Sequence, residues 1–240
     1  PIVKVGIAGL GRSGWGIHAR VFERVPEMYK VVAVFDQLDQ RLEEAKEKFG
    51  CSAYSDFHSF VADDSFELAI VAMPSYLHAA QTIEILKSGK SVVCEKPMAT
   101  NLAEADAMIK AANETGRLLT VFHNRRYSPD FLKVREVIDS GILGRLVLVR
   151  ICLHSFGRRW DWQTLSRFGG GELRNTGAHV IDQALQIMGG SEPKVFCDLQ
   201  RTLTLGDAED HVKIVLTSPG SPLVDIEITH ACAFPQDYWL

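Results

Sequence analysis

The sequence lacks the features that mark nucleic-acid-binding proteins. Its 240 residues include 26 lysines and arginines against 30 aspartates and glutamates, and the basic residues form no tract. A basic patch or stripe is the electrostatic feature that nucleic-acid binding requires. We therefore expect no nucleic-acid partner.

Long apolar runs are missing as well. The hydrophobic stretches have the length of strands, well below the roughly 20 residues of a membrane-spanning helix. The chain begins with PIVKVGIAGLG, a strand pattern, and not with a charged segment followed by an apolar one. We expect a cytoplasmic protein that does not engage a membrane.

Clustered cysteines are the third absence. The five cysteines lie far apart, with no C-x-x-C pair and no paired Cys/His spacing. Structural zinc sites and disulfide frameworks both need clustered ligands. We expect no metal site, and we expect most of the cysteines to be small buried apolar side chains.

What the sequence does contain, from residue 1 to 123, is an alternation of apolar β-branched runs with helical patterns. Continuous apolar strands separated by single helices predict a doubly wound parallel sheet covered on both faces, an α/β Rossmann domain. The strand runs are IVKVGIAG, VVAVFD, ELAIVAM, SVVCE and LLTVFH; the helical patterns are Gly14 to Val25, LDQRLEEAKEKFG, LHAAQTIEILKSG and LAEADAMIKAANETG.

From residue 124 to 240 the pattern changes to a second, α+β domain. RYSPDFLKVREVIDSGILG reads as one helix, and GGGELRNTGAHVIDQALQIMGG as a glycine-rich loop followed by a helix. The remaining runs alternate apolar and polar residues, which predicts a largely antiparallel sheet with one open face. These runs are RLVLVRICLH, KVFCDLQRTLTL, DHVKIVLTS and PLVDIEITHACA.

The first strand leads into GLGRSG, a G-x-G-x-x-G motif between a strand and a helix. Glycines permit the tight turn and the close backbone approach that a pyrophosphate needs, and helix N-terminal amides bind it. We expect the whole loop to contact a dinucleotide: Gly9, Leu10, Gly11, Arg12, Ser13 and Gly14.

Asp36 ends the second strand run and is the candidate acceptor for the adenosine ribose hydroxyls. Its charge opposes a 2′-phosphate, so NAD is favoured over NADP. Arg12 and Arg41 weaken that preference, because a guanidinium can pair with such a phosphate.

Four segments together resemble the Gfo/Idh/MocA oxidoreductase family, which includes glucose-fructose oxidoreductase and inositol dehydrogenases: GLGRSG, AMPSYLH, CEKP and GGGELRNTGAHVID. The resemblance implies a Rossmann domain that binds NAD or NADP and a second domain that holds a sugar, cyclitol or related polyol. It also implies that Lys96 is the catalytic lysine and His179 the proton-transfer residue, and that both converge on one substrate carbon.

The chemistry of alcohol oxidation agrees with those roles. The reaction releases a proton, so it needs a base whose pKa lies near neutrality, and histidine is the side chain closest to that range. An ammonium group beside the substrate oxygen stabilises developing alkoxide charge. Pro97 ends the strand after Lys96 and so keeps that lysine at the ligand-facing edge of the sheet.

Two departures from the family pattern stand out. Many inositol and sugar dehydrogenases of the family carry aspartate where Asn175 stands, and an amide cannot act as a base. Asn175 is then expected to bind a substrate hydroxyl, with Asp182 either supplying the missing carboxylate or packing the helix. SGWGIHA has one residue more than the commoner G-x-x-H-A spacing, which bears on where the first helix lies.

Further contacts are expected at the ends of other strands and in one loop. The additional cofactor candidates are Met73, Pro74, Ser75, His78, Glu95, Lys96 and Asn124. Sugars are recognised by aromatic stacking together with charged or amide hydrogen bonds. The substrate candidates are Lys96, Arg126, Trp160, Asp161, Trp162, Asn175 and His179.

The resemblance also suggests that the second domain is incomplete at its C-terminus, and an open sheet invites a homo-oligomer. The leading hypothesis is hydride transfer between NAD(P) and a secondary alcohol. Two alternatives stay open: an NAD-dependent glycosidase that oxidises its substrate transiently, and a non-enzymatic dinucleotide-binding regulator.

Overall fold

A computed structural model of the protein describes residues 1–190, 192–234 and 238–239. The contacts between Cα atoms divide the chain into two compact units, Pro1–Phe122 and a second that starts at His123. Among the described residues, no helix has the length and apolar character needed to cross a bilayer.

The first unit is built on a parallel sheet with the strand order β3-β2-β1-β4-β5-β6. Its strands are β1 Val3–Ala8, β2 Tyr29–Phe35, β3 Ser52–Tyr54, β4 Leu68–Val71, β5 Ser91–Cys94 and β6 Leu119–Val121. Its helices are α1 Arg20–Arg24, α2 Asp39–Phe49, α3 Phe57–Val61, α4 His78–Lys87 and α5 Leu102–Thr115. The order reverses between β1 and β4, as in a doubly wound sheet.

Apolar side chains cover both faces of this sheet, which confirms the predicted α/β class. One buried cluster contains Phe60, Ile85 and Met108, and the other contains Ile7 and Leu42. The sequence patterns did not predict the short β3 and α3. β3 has three residues, too few for periodicity to reveal.

The described part of the second unit forms a mixed sheet with the strand order β11-β7-β10-β9-β8. Its strands are β7 Leu148–His154, β8 Lys194–Gln200, β9 His211–Thr217, β10 Leu223–Thr229 and β11 Tyr238–Trp239. Its helices are α6 Pro129–Asp139 and α7 Ala178–Ile187. β7 and β10 pair in parallel and the other neighbours antiparallel, so the sheet is largely antiparallel as predicted.

Two predicted elements of this unit are shorter in the structure. The expected helix over residues 126–144 is only α6. It begins at Pro129, which can occupy only the first turn of a helix, and it ends at Asp139, two residues before Gly141, whose φ is 73°. The strand expected over residues 194–205 ends at Gln200. Just after this end, three consecutive residues, Thr202, Leu203 and Thr204, donate backbone N–H hydrogen bonds to the Asp210 carboxylate, which fixes a turn.

Candidate active site

The glycine loop connects β1 to a helical segment, and its three glycines are needed for different reasons. Gly9 has a φ of 95°, and a Cβ there would lie 2.8 Å from the backbone oxygen of Ala72. A Cβ at Gly14 would lie 1.8 Å from the backbone oxygen of Gly9. At Gly11 the nearest atom to such a Cβ is Arg41 Nη1, 3.9 Å away. The protein itself requires the first and third glycines, whereas the second leaves an open surface of the kind a pyrophosphate needs.

Asp36 lies directly after β2, is only 4% exposed, and supports the loop. Its Oδ2 accepts a hydrogen bond of 2.7 Å from the backbone N–H of Leu10, and its Oδ1 accepts one of 3.0 Å from that of Leu38. The Arg41 guanidinium approaches both oxygens, at 3.4 and 3.2 Å. The carboxylate therefore fixes the loop, and Arg41 offsets part of its charge.

The glycine loop leads into a helix, and residues Gly14–Ala19 of that helix form a π-helical turn. A π turn takes in one residue more than an α turn, which accounts for the longer SGWGIHA spacing. His18 lies in this turn, and its Nε2 is 2.9 Å from Oε1 of Glu95. Both side chains are buried.

Glu95 and Lys96 follow β5 at the carboxyl edge of the parallel sheet, the edge that also carries the glycine loop. Burial would raise the pKa of Glu95, but the His18 hydrogen bond and the charges of His18 and Lys96 lower it overall. Glu95 is thus an anion beside Lys96, and its Oε2 accepts a hydrogen bond of 3.2 Å from the Lys96 backbone N–H. The peptide bond between Lys96 and Pro97 is cis.

His78, the first residue of α4, connects the chain after β4 to the chain after β5. Its Nδ1 lies 2.7 Å from the Pro97 carbonyl oxygen and its Nε2 2.8 Å from the Met73 carbonyl oxygen. Only a doubly protonated ring donates to both, whereas burial, the largest influence, lowers the pKa of His78. The ring is 1% exposed and braces two loops, and its contact with a cofactor stays a prediction.

The other predicted cofactor contacts lie in the segments that follow the strands of the parallel sheet. Ser75 is buried in a 3₁₀ turn, Ser75–Leu77, and Met73 and Pro74 are half-buried just before it. Arg12 is exposed at the start of the helix and Ser13 is half-buried. Asn124 belongs to the second unit, where it begins the 3₁₀ turn Asn124–Tyr127.

In the second unit, a π-helical turn at Leu173–Gly177 leads directly into α7. Asn175 lies in that turn, and His179, the second residue of α7, is half-buried. The rings of His179 and His123 meet edge to face with their centroids 6.2 Å apart. The spacing of four residues puts Asn175 and His179 on one side of the helical segment.

Asp182, the second candidate carboxylate, is engaged by Arg126. The guanidinium donates from Nε to Oδ2 at 2.8 Å and from Nη2 to Oδ1 at 2.5 Å, and Gln186 donates to Oδ2 at 3.0 Å. Burial would raise the pKa of Asp182, but the hydrogen bond from Arg126 and the nearby charges lower it. The structure thus favours the helix-packing role for Asp182, and two of the Arg126 N–H groups donate to it.

The predicted aromatic loop is a surface feature. Trp160 is 78% exposed, and Trp162 is half-buried in the 3₁₀ turn Trp162–Thr164. Asp161 caps that turn by accepting from the Gln163 backbone N–H at 3.0 Å, and it pairs with Arg159. Asp161 therefore has a local structural role whether or not it also binds substrate.

Three residues that sequence reasoning did not single out are Glu172, His230 and His18. Glu172 stands inside the quoted GGGELRN segment, but nothing in its spacing shows that its partner is more than fifty residues away. The predicted convergence of Lys96 with His179 joins residues of different units and stays a prediction.

The parallel sheet, the glycine loop and the buried aspartate after β2 are the features of a dinucleotide-binding domain of the Rossmann class. Residues 3–123 match the family model described as an oxidoreductase family with an NAD-binding Rossmann fold, and residues 131–240 match the GFO/IDH/MocA C-terminal domain. The chain belongs to the Gfo/Idh/MocA oxidoreductase family.

Named relatives include enzymes that act on inositols. The chain is 33% identical over 190 residues to the scyllo-inositol 2-dehydrogenase (NADP(+)) IolW of Bacillus subtilis, covering 78% of this chain and 52% of the relative. It is 32% identical over 197 residues to the myo-inositol 2-dehydrogenase of Thermotoga maritima, covering 82% of this chain and 58% of the relative. The chain thus spans little more than half the length of these two relatives.

A solved structure shares the fold. The WlbA dehydrogenase of Bordetella pertussis, determined in complex with NADH and UDP-GlcNAcA, superposes with a TM-score of 0.90. The likeness covers 98% of this chain and 74% of that one, at 24% identity. At this identity the comparison shows the architecture alone.

Proposed function

We propose that the protein is an NAD-dependent dehydrogenase that oxidises a secondary hydroxyl of a cyclitol, sugar or related polyol. The observation that carries the proposal is the placement of Lys96, two residues after the end of β5 and next to the buried Glu95, on the sheet edge that also presents the open surface at Gly11. Ligands of open α/β sheets bind at that edge. The named inositol dehydrogenases among the relatives support the substrate class.

Each residue then has a defined task. Bound NAD supplies the hydride acceptor. The Lys96 ammonium stabilises negative charge on the substrate oxygen, and His179 receives the proton. Asn175 binds a neighbouring hydroxyl by hydrogen bonds. Arg126, Trp160, Asp161 and Trp162 are the proposed outer contacts of the substrate.

The test is the formation of NADH over a panel of inositols and aldoses. We expect turnover with at least one polyol and none without NAD. Tight NAD binding with no turnover on the whole panel would count against the proposal and favour a regulator. Cleavage of a glycoside without net NADH would favour the NAD-dependent glycosidase.

Cofactor preference is proposed to depend on the contact between Arg41 and Asp36. The guanidinium is the cation closest to the carboxylate that opposes a 2′-phosphate, 3.2 Å from Oδ2. Arg41→Ala should weaken NADP relative to NAD by about tenfold, since a hydrogen bond to a charged group is worth about 1.5–3 kcal/mol. Dissociation constants measured by fluorescence titration check this.

The matched control for that substitution is the exposed Arg24, replaced by alanine in the same way. Arg24→Ala should leave both dissociation constants unchanged. An equal loss of affinity for NAD and NADP in Arg41→Ala would show that Arg41 does not discriminate between them.

We also propose that the protein forms a homo-oligomer through the C-terminal sheet. β8 lies at one edge of that sheet, and Val195 and Phe196 on it are 63% and 60% exposed. An exposed apolar edge strand favours association. Light scattering at micromolar concentration should give more than the mass of one chain, and Phe196→Asp should reduce it. A monomeric mass for the unmodified chain would refute the proposal.

A further inference from the structure

Glu172 is a buried carboxylate to which the proposed function assigns no task. It is 3% exposed and stands just before the π-helical turn that carries Asn175. Its Oε1 lies 3.1 Å from Nε2 of His230 and accepts from Nδ2 of Asn175 at 3.2 Å. Its Oε2 accepts from the Thr176 hydroxyl. Both oxygens are therefore turned toward the segment that precedes His179.

The charge of Glu172 decides how its partners are oriented. Burial would raise its pKa, but hydrogen bonds from His230, Thr176 and Asn175 and the charge of His230 lower it to about 2. A carboxylate only accepts hydrogen bonds, so Asn175 must turn its NH₂ group toward Glu172. The carbonyl oxygen of Asn175 then faces the other way, where Gln163 Nε2 donates to it at 3.3 Å.

We propose that Glu172 is a positioning residue that fixes the orientation of the Asn175 amide beside His179. Its negative charge favours an amide over a carboxylate at position 175. The role in catalysis rests on the proposed dehydrogenase function. The orientation itself follows from the hydrogen bonds of Glu172 alone.

The groups around Glu172 strengthen the preference for an amide. The hydrogen bond to Glu172 raises the pKa of His230, Asp210 adds to that effect and Arg159 opposes it. Glu209 is a further carboxylate, whose Oε1 accepts from the Leu173 backbone N–H at 3.0 Å. An aspartate at 175 would add a negative charge next to Glu172, where His230 already pairs with Glu172 and Arg159 is engaged by Asp161. Two carboxylates so close share a proton at a raised pKa.

The test compares Asn175→Asp, Glu172→Gln and the double variant with the wild-type chain. Asn113→Asp, at an exposed position of α5, is the control for adding one charge. The first measurement is the thermal unfolding midpoint from about pH 5 to pH 8, across the range in which a raised carboxyl pKa falls. The second is kcat and KM for NADH formation as a function of pH.

Asn175→Asp should unfold at a lower temperature than wild type at pH 8, and the gap should narrow on acidification. The sign follows because the free energy of unfolding falls as the pH rises through the folded-state pKa of a carboxyl group whose pKa is raised by folding. The double variant should remove the pH dependence of the gap. Its kcat should recover from the Asn175→Asp level, which we expect to be reduced by about tenfold or more, as for a misplaced catalytic contact.

Glu172→Gln alone should lower kcat more than it changes KM, and the pKa of His230 followed by NMR should fall toward the ordinary value of a histidine. Glu172→Asp, which keeps the charge on a shorter side chain, should retain more activity than Glu172→Gln. If Glu172→Gln does not fold, the comparison of Glu172→Asp with Asn175→Asp decides the question.

A stability gap that is independent of pH, or that persists unchanged in the double variant, would overturn the proposal. So would a wild-type kcat and pH profile in Glu172→Gln. The proposed function fails separately: in that case the wild-type chain oxidises no polyol, while the pH-dependent gap and the shift of His230 still show whether Glu172 fixes position 175.

Discussion

Replacing Lys96 with alanine should lower kcat by about 10²–10³, the usual loss when a group that stabilises developing oxyanion charge is removed. Lys96 follows β5 at the ligand-facing edge, and Glu95 beside it is ionised. The affinity for NAD should stay nearly unchanged, because the glycine loop and Asp36 supply the main proposed cofactor contacts. Stopped assays of NADH formation and a separate NAD titration measure the two quantities.

Lys87→Ala, at an exposed position near the end of α4, is the matched control and should behave as wild type. Lys96→Arg should remain well below wild-type activity, because a guanidinium has a different shape and set of donors. If Lys96→Ala turns over at the wild-type rate, the assignment of Lys96 is wrong. If it loses NAD affinity in parallel with kcat, Lys96 is mainly a cofactor contact.

The second large effect separates two glycines of the same loop. Gly11→Ala should fold normally and bind NAD about ten- to a hundredfold more weakly, because the added methyl group occupies the space of the pyrophosphate and breaks a charge-assisted hydrogen bond. Gly14→Ala should lower the free energy of unfolding by about 1–3 kcal/mol even without NAD. The reason is the 1.8 Å approach of its Cβ to the Gly9 oxygen.

Thermal unfolding without cofactor and NAD titration together distinguish the two outcomes. Gly16→Ala is the control, because a Cβ at Gly16 meets no atom within 4 Å. Equal destabilisation by Gly11→Ala and Gly14→Ala would contradict the division of roles, and so would unchanged NAD binding in Gly11→Ala.

The architecture of the first unit was predictable because its signals are local and repeated. Each long strand is a continuous apolar run, and the αL glycines Gly50 and Gly116 end α2 and α5 as their positions in the sequence indicate. β3 was missed because a three-residue strand has no period to detect. The position of the glycine motif between β1 and a helix was readable for the same local reason.

The partners of buried polar groups were not predictable. Glu172 meets His230, and Glu95 meets His18, across long stretches of chain that no spacing rule connects. The end of β8 was equally hidden, since it depends on the carboxylate of Asp210 ten residues further along. Sequence patterns identify which residues carry chemistry, whereas the folded chain decides which of them share a hydrogen bond.

The wide turn at Gly14–Ala19 has a consequence for the rest of its helix. One residue added to a regular α-helix rotates everything after it by about 100° around the axis, since a full turn takes 3.6 residues. Because the extra residue is taken up inside the turn, Phe22 still reaches the apolar cluster under the sheet and His18 still reaches Glu95. Removing one residue from this turn should therefore convert the π turn into an α turn, and the side chains of α1 should keep their orientation toward the sheet.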